Sequence, residues 1–220
     1  MYLIGAKWGA LMQSKAGLTA AIVTLILGGA LVGCSKKSPS VSGDEIEVIG
    51  VIDGDTVELQ DGRRVRLVGI DTPERGDAFY DSASALTERL VLKKRVRLEY
   101  DRDQIDRYGR TLAFIWVGDQ LVNREIVKEG WAWCYFFEGN LRHSRELLLA
   151  QHEAMNAHIG LWKSTHQETA ERYRASFLSY RFHRPECESM DKVEPDLEVV
   201  YYSKDSAFYD GYSPCSRCNP

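Results

Sequence analysis

The dipeptide Asp61-Gly62 separates two runs of alternating side chains, and that arrangement commits the middle of the chain to a β-hairpin. Upstream, Ile46, Val48 and Gly50 alternate with Glu45, Glu47 and Ile49, and Thr56-Val57-Glu58-Leu59 follows. Downstream, Val65 and Leu67 face one way while Arg64 and Arg66 face the other, so a period of two sorts core from exterior. At residues 77–92 the spacing turns helical, with Ala78, Leu86 and Leu90 in an apolar stripe. Strands are expected at 95–100 and 111–117, a helix over 121–129 stopped by Gly130, and a longer helix over about 142–157. Several short strands interleaved with a few helices suit an α+β fold built on a five-stranded Greek-key barrel of the OB type. A hydrophobic share of 44% supports a large core and excludes a disordered chain or a fibre. The net charge of −4 excludes a protein that wraps nucleic acid by bulk charge, so any such contact needs a local basic site.

The first residues carry Lys7 and Lys15 and no acid, then run uncharged to Leu31-Val32-Gly33-Cys34. A positive start, an apolar stretch and small residues before a cut describe a secretory signal peptide over 1–33. The ending resembles a bacterial lipobox, whose cysteine is acylated, so Cys34 is the expected lipid anchor. The alternative is an uncleaved single-span anchor. Either way the rest of the chain is exported and held at a membrane. Ser35 after the cysteine resembles the outer-membrane sorting pattern, placing the protein at the outer membrane or the periplasmic side of a Gram-negative envelope. Residues 34–46 read as a polar tether, 47–163 as the barrel domain, 164–180 as a helical connector and 181–220 as a separate small module.

Three polar clusters fall at strand ends: Asp53-Gly54-Asp55-Thr56; Arg66 with Asp71-Thr72-Pro73-Glu74; and Asp106-Arg107-Tyr108-Gly109-Arg110. Carboxylates on tight turns can hold a hard divalent cation through oxygen. A spare carboxylate can orient or deprotonate water. Two arginines can grip a phosphate in bidentate fashion and stabilise the charge of a pentacoordinate state. Each cluster alone is ordinary turn chemistry, but together they hold the parts for attack on a phosphodiester.

Residues 47–162 resemble the staphylococcal nuclease (thermonuclease) family, through Val51-Ile-Asp-Gly-Asp-Thr-Val57, Arg66-Leu-Val-Gly-Ile-Asp-Thr-Pro-Glu74, Asp106-Arg-Tyr-Gly-Arg110 and Gly160-Leu-Trp162. The resemblance implies an OB-fold barrel and calcium-dependent cleavage of DNA and RNA at the bond to the 5′ oxygen. It implies calcium held by the Asp55 and Asp71 carboxylates and the Thr72 carbonyl, Glu74 as general base or water positioner, and Arg66 and Arg110 on the scissile phosphate. Arg107 and Tyr108 stand where the family contacts a neighbouring phosphate. Its base-stacking tyrosines should fall within Tyr135–Phe137, taken as Tyr135 and Phe136 with the register open by one residue, since aromatic faces stack bases without reading sequence. Cys134, flanked by aromatics, reads as a buried hydrophobe. A catalytically silent OB module binding nucleic acid or protein is the rival, and the presence of Arg66, Glu74 and Arg110 speaks against it. No protein partner is expected.

In the tail, His183-x₃-Cys187 and Cys215-x₂-Cys218 make four borderline or soft ligands, the count of a closed tetrahedral zinc site. Zinc would hold together a segment too small for a large core. The segment resembles the zinc-binding domain of the Ada DNA-repair methyltransferase, except that His183 replaces the methyl-accepting cysteine, which removes methyl transfer. In an oxidising exterior, Cys187 or Cys215 paired with Cys218 as a disulfide is the competing reading.

Overall fold

A computed structural model describes residues 45–163 and 172–220. The expected signal peptide, Cys34, most of the tether and the first half of the connector lie outside the described residues. Among the described residues no helix is long and apolar enough to cross a membrane.

The described chain opens with β1 (Ile46–Asp53), β2 (Thr56–Leu59) and β3 (Arg64–Leu67). The hairpin at Asp61-Gly62 forms as expected: β2 and β3 pair antiparallel with Val57 opposite Val65, and the Asp61 carboxylate accepts the Arg63 N–H at 3.1 Å. Past β3 the chain kinks into β4 (Gly69–Asp71). Gly69 has φ of +81°, and a Cβ there would lie 2.5 Å from Leu147, so only glycine allows this bend. Then come α1 (Tyr80–Val91), β5 (Arg95–Glu99), β6 (Thr111–Val117), β7 (Gln120–Leu121), α2 (Val122–Lys128), β8 (Trp133–Tyr135) and α3 (Ser144–Asn156).

Strands β3, β2, β1, β5 and β6 are hydrogen-bonded in that order, and a parallel β3–β6 pairing closes the ring. The result is a five-stranded OB-type barrel with helices, an α+β fold. The inward residues of the alternating runs, among them Val48, Val57, Leu59, Val65 and Leu67, are fully buried with Phe114 and Ile126. Asn123 is buried in this core because its side chain completes two backbone gaps, accepting from Ile115 N and donating to the Val68 carbonyl at the β3–β4 kink.

After the barrel follow β9 (Tyr173–Ser176), β10 (Arg181–His183), β11 (Glu198–Tyr201), α4 (Lys204–Tyr209) and β12 (Ser213–Pro214). They form a four-stranded sheet in the order β11-β9-β10-β12. The helical connector is corrected in its described part: Tyr173–Ser176 is a strand paired on both edges, with β10 and with β11. Cross-strand pairing there outweighs a composition that favours a helix.

The module and the barrel domain share a second core. Tyr173, Phe182, Phe208 and Tyr212 are buried with Trp162, and Trp133, Met155, Ile159 and Leu161 pack against them. Gln151 on α3, fully buried, accepts from Cys134 N on β8 at 2.7 Å and donates to the Phe208 carbonyl on α4. Near this seam the chain after α2 crosses the chain after α3, where Gly130 and Gly160 lie backbone to backbone and the Leu161 N–H donates to the Gly130 carbonyl at 2.8 Å.

Candidate active site

The three polar clusters converge on one cleft of about 1090 Å³, lined by Asp53, Asp55, Arg66, Asp71, Glu74 and Arg110. The first cluster is the turn between β1 and β2, pinned from α1 by the Thr87 hydroxyl, which donates to the Gly54 carbonyl at 2.6 Å. Asp55 is 5% exposed and held on both oxygens. One accepts the backbone N–H and the hydroxyl of Thr72, each at 3.0 Å; the other accepts the Thr56 hydroxyl and faces Arg66 Nε at 3.0 Å.

Arg66, on β3, is the keystone. Its guanidinium donates to the carbonyls of Leu67 (2.7 Å) and Ile70 (2.8 Å), so it also braces the kink between β3 and β4. It pairs with Asp71 at 2.6 Å while contacting Asp55. Burial pushes the Asp71 carboxyl up to about 7, against the pull of Arg66 and with the help of the Asp55 charge. Burial and Asp55 also raise Asp53. Three carboxylates thus crowd around one guanidinium. This all-oxygen, charge-excess donor set fits a hard divalent cation such as calcium.

Arg110 differs from Arg66. Its Nε pairs with Asp106 at 2.7 Å, and Asp106 also accepts the backbone N–H groups of Tyr108 and Arg110, forming a self-contained turn. Burial opposes the charge on Asp106, but the hydrogen bonds from Arg110 hold its carboxyl below the usual range. Among the described residues the terminal nitrogens of Arg110, which lines the cleft, hold no hydrogen bond and leave a fork available. The Glu74 carboxylate is exposed on the same cleft and likewise has no protein partner among the described residues. Arg107 and Tyr108 reach the rim, with Arg107 Nη2 donating to the Tyr108 hydroxyl at 2.6 Å.

The aromatic assignment needs one correction. Tyr135 lines the cleft, but Phe136 is 4% exposed and packs edge-on against Tyr180 in the core, so it cannot stack on a base. Alternation at the end of β8 instead brings Phe137 to the cleft, 6.3 Å from Tyr135. Cys134 is fully buried, and desolvation pushes its thiol up, as suits an inert hydrophobe. Sequence reasoning missed Arg181, which reaches the cleft from β10 and lies 3.5 Å over the Tyr135 ring. Asp53 was visible within its cluster but had no role of its own.

On the module, His183, Cys187, Cys215 and Cys218 bring one ligand atom each to within 4.8 Å of one another. Burial and the nearby Arg181 and Arg174 charges lower the His183 pKa, favouring the neutral, metal-binding imidazole. The Cys215 and Cys218 sulfurs accept N–H groups of Arg217 and Arg184, each at 3.4 Å. Burial and the other thiols push Cys218 up to about 11. All four described cysteines are unbridged, and three of them bring their sulfurs together with the histidine nitrogen, a Cys₃His set that could hold a metal ion.

Comparison with known proteins agrees with this geometry. The family described as "Staphylococcal nuclease homologue" matches residues 64–164. The chain is 40% identical over 137 residues to a thermonuclease of Staphylococcus intermedius, covering 58% of this chain and 82% of that protein. It is 37% identical to a thermonuclease of Staphylococcus hyicus, covering 54% of this chain and 75% of that protein. It is 31% identical to a micrococcal nuclease of Shigella flexneri, covering 58% and 79%.

Proposed function

Because the chain belongs to the staphylococcal nuclease family, it is a nuclease that hydrolyses phosphodiester bonds, and we propose that it does so with calcium in the cleft where Arg66, Asp71, Glu74 and Arg110 meet. The convergence of Asp55, of the stretch from Arg66 to Glu74 and of Arg110 on one cleft supports the reading most directly. Asp55 and Asp71, with the Thr72 carbonyl, would hold the ion. Bound there, calcium would supply a positive charge that neutralises the phosphate and favours attack on it.

The chain's own groups divide the remaining work. Arg110 offers its free fork to the phosphate oxygens, and Arg66 stabilises the charge that builds on them. Glu74, unpartnered and facing the cleft, orients a water and takes its proton as the oxygen attacks phosphorus. The bond from phosphorus to the 5′ oxygen breaks, and that oxygen leaves with a proton from solvent. The other product end keeps a 3′-phosphate. Arg107 and Tyr108 would contact a neighbouring phosphate, and Tyr135 the adjoining nucleotide. Single-stranded DNA should be cut by the purified protein with calcium and spared with chelator. Glu74→Gln should lower kcat by at least about a hundredfold. Equal cutting by that variant would remove Glu74 from the chemistry.

We also assign zinc to the Cys₃His set, in a structural role, on the strength of its four converging ligands. Purification without chelator should yield about one zinc per chain by elemental analysis. Metal-free protein whose module offers one reactive thiol rather than three would establish the disulfide instead. For residues 1–34 we propose export and lipid attachment at Cys34, on the sequence pattern alone. Mass spectrometry of the mature N-terminus tests that assignment.

A further inference from the structure

We propose that Arg181, carried by the appended module, is a substrate-binding residue of the nuclease cleft that grips a phosphate next to the scissile one. The inference rests on the nuclease reading for its ligand, and on observations at the far wall of the cleft for its place.

Arg181 opens β10, and its guanidinium carbon lies 3.5 Å from the centroid of Tyr135, in stacking contact with the ring. One of its nitrogens, Nη1, is fully used: it donates to the Phe136 carbonyl (3.1 Å), the Tyr180 carbonyl (3.1 Å) and the Ser213 hydroxyl (2.7 Å). These bonds fix the plane of the guanidinium. Among the described residues Nε and Nη2 have no hydrogen-bond partner, and the side chain lines the same cleft as Asp71, Glu74 and Arg110. An arginine held by one nitrogen, with its other two unpaired at a cleft it lines, is arranged for an anion.

Tyr135 shows which part of the substrate is bound. The Tyr135 ring has two guanidinium groups close by, Arg181 at 3.5 Å and Arg66 at 6.0 Å from its centroid. A nucleotide next to it meets charge before it meets an aromatic face, so the phosphate is the recognised group. Arg66 is held in the acidic cradle by its carboxylates and carbonyls, at the scissile phosphate it is assigned to. Among the described residues Arg181 makes no hydrogen bond or ion pair with a carboxylate, and although its charge reaches Asp71, two of its nitrogens stay available for a second phosphate. The barrel segment carries more acidic than basic residues, so one further cation in the cleft has a large local effect.

The module also fixes where Arg181 stands. Strand β10 pairs in parallel with β12, Arg181 beside Ser213 and Phe182 beside Pro214, and the Cys215 N–H donates to the Phe182 carbonyl at 3.0 Å. His183 and Cys215 lie two residues beyond Arg181 and Ser213, on the same side of their strands. The metal-binding set therefore clamps the ends of the two strands that present Arg181 to the cleft.

The test uses the full mature chain and its Arg181→Met and Arg181→Lys variants, with a fluorescent single-stranded 12-mer as probe. Binding is read in calcium-free buffer, where turnover does not interfere, and KM is read with calcium, both across a salt series. Arg181→Met should weaken binding about tenfold and raise KM in step. It should also flatten the log–log salt slope by about 0.7, the loss of one phosphate contact on a single strand. Arg181→Lys should keep the wild-type slope with intermediate affinity. Unchanged binding and slope in Arg181→Met, while the wild type binds and cuts, would overturn this inference and leave the nuclease reading intact. Weaker binding with an unchanged slope would make Arg181 a docking strut and overturn it as well. A wild type that binds through Arg181 but never cuts would sustain the inference and remove the proposed catalytic assignment.

Discussion

The Arg66→Ala variant is expected to lose activity and stability together, whereas Arg110→Ala is expected to lose activity alone. Arg66 touches Asp55, Asp71 and two backbone carbonyls, and its side chain is only 12% exposed. Deleting it strands two carboxylates beside each other and leaves the carbonyls of Leu67 and Ile70 without their donor. Breaking a buried ionic network of this kind costs about 3–5 kcal/mol. Among the described residues Arg110 has one ion pair, with Asp106 in its own turn, and its side chain is 31% exposed. Losing such a pair costs under about 1 kcal/mol. Each arginine serves a phosphate whose charge builds during attack, so kcat should fall by about 10²–10³ in either variant. Urea denaturation beside single-turnover cleavage separates the two cases. A midpoint for Arg66→Ala matching that of wild type would refute the bracing role given to its guanidinium.

Ending the chain at Lys163 should destabilise the barrel domain severely, even though the active-site clusters are all upstream. Trp162 is buried against Phe208, with ring centroids 5.2 Å apart, and Trp133 meets the same phenylalanine at 6.3 Å. Truncation bares these indoles along with Met155, Ile159 and Leu161, and takes away the Phe208 carbonyl that the Gln151 amide donates to. Each large side chain returned to water forfeits about 1.5–3 kcal/mol, and the orphaned amide about 1–3 more. Several such terms together correspond to a fall in Tm of more than about 10 °C. Scanning calorimetry of the truncated and full mature chains reads the difference directly. A truncated protein that is soluble and melts with the full chain would mean that the module stands apart.

How much of this was legible in the residues differs from place to place. In the stretch from Arg66 to Glu74, strand alternation set the side of Arg66 and the proline fixed how Asp71 and Glu74 leave the strand, while their roles came from the family resemblance. Tyr135-Phe136-Phe137 was not readable to the residue, because three aromatics in succession carry no period from which a face can be chosen. Tyr173–Ser176 resembles a helix locally and is a strand only because β10 and β11 flank it. Arg181 gave no local signal at all. Its significance lies in Phe136 and Tyr135, with the Phe136 carbonyl 45 positions earlier in the chain, and nothing short of the packed module brings them together.

The crossing of Gly130 and Gly160 ties two distant positions into one constraint. A Cβ on Gly130 would lie 2.5 Å from the Ile159 carbonyl oxygen, and one on Gly160 would lie 2.1 Å from that of Gly130. Each clash is with main chain, which no choice of partner side chain can relieve. Alanine at one site therefore has no compensating residue at the other, and the usual route of drift, a tolerated first change repaired by a second, is closed. The pair can be inherited only as it stands.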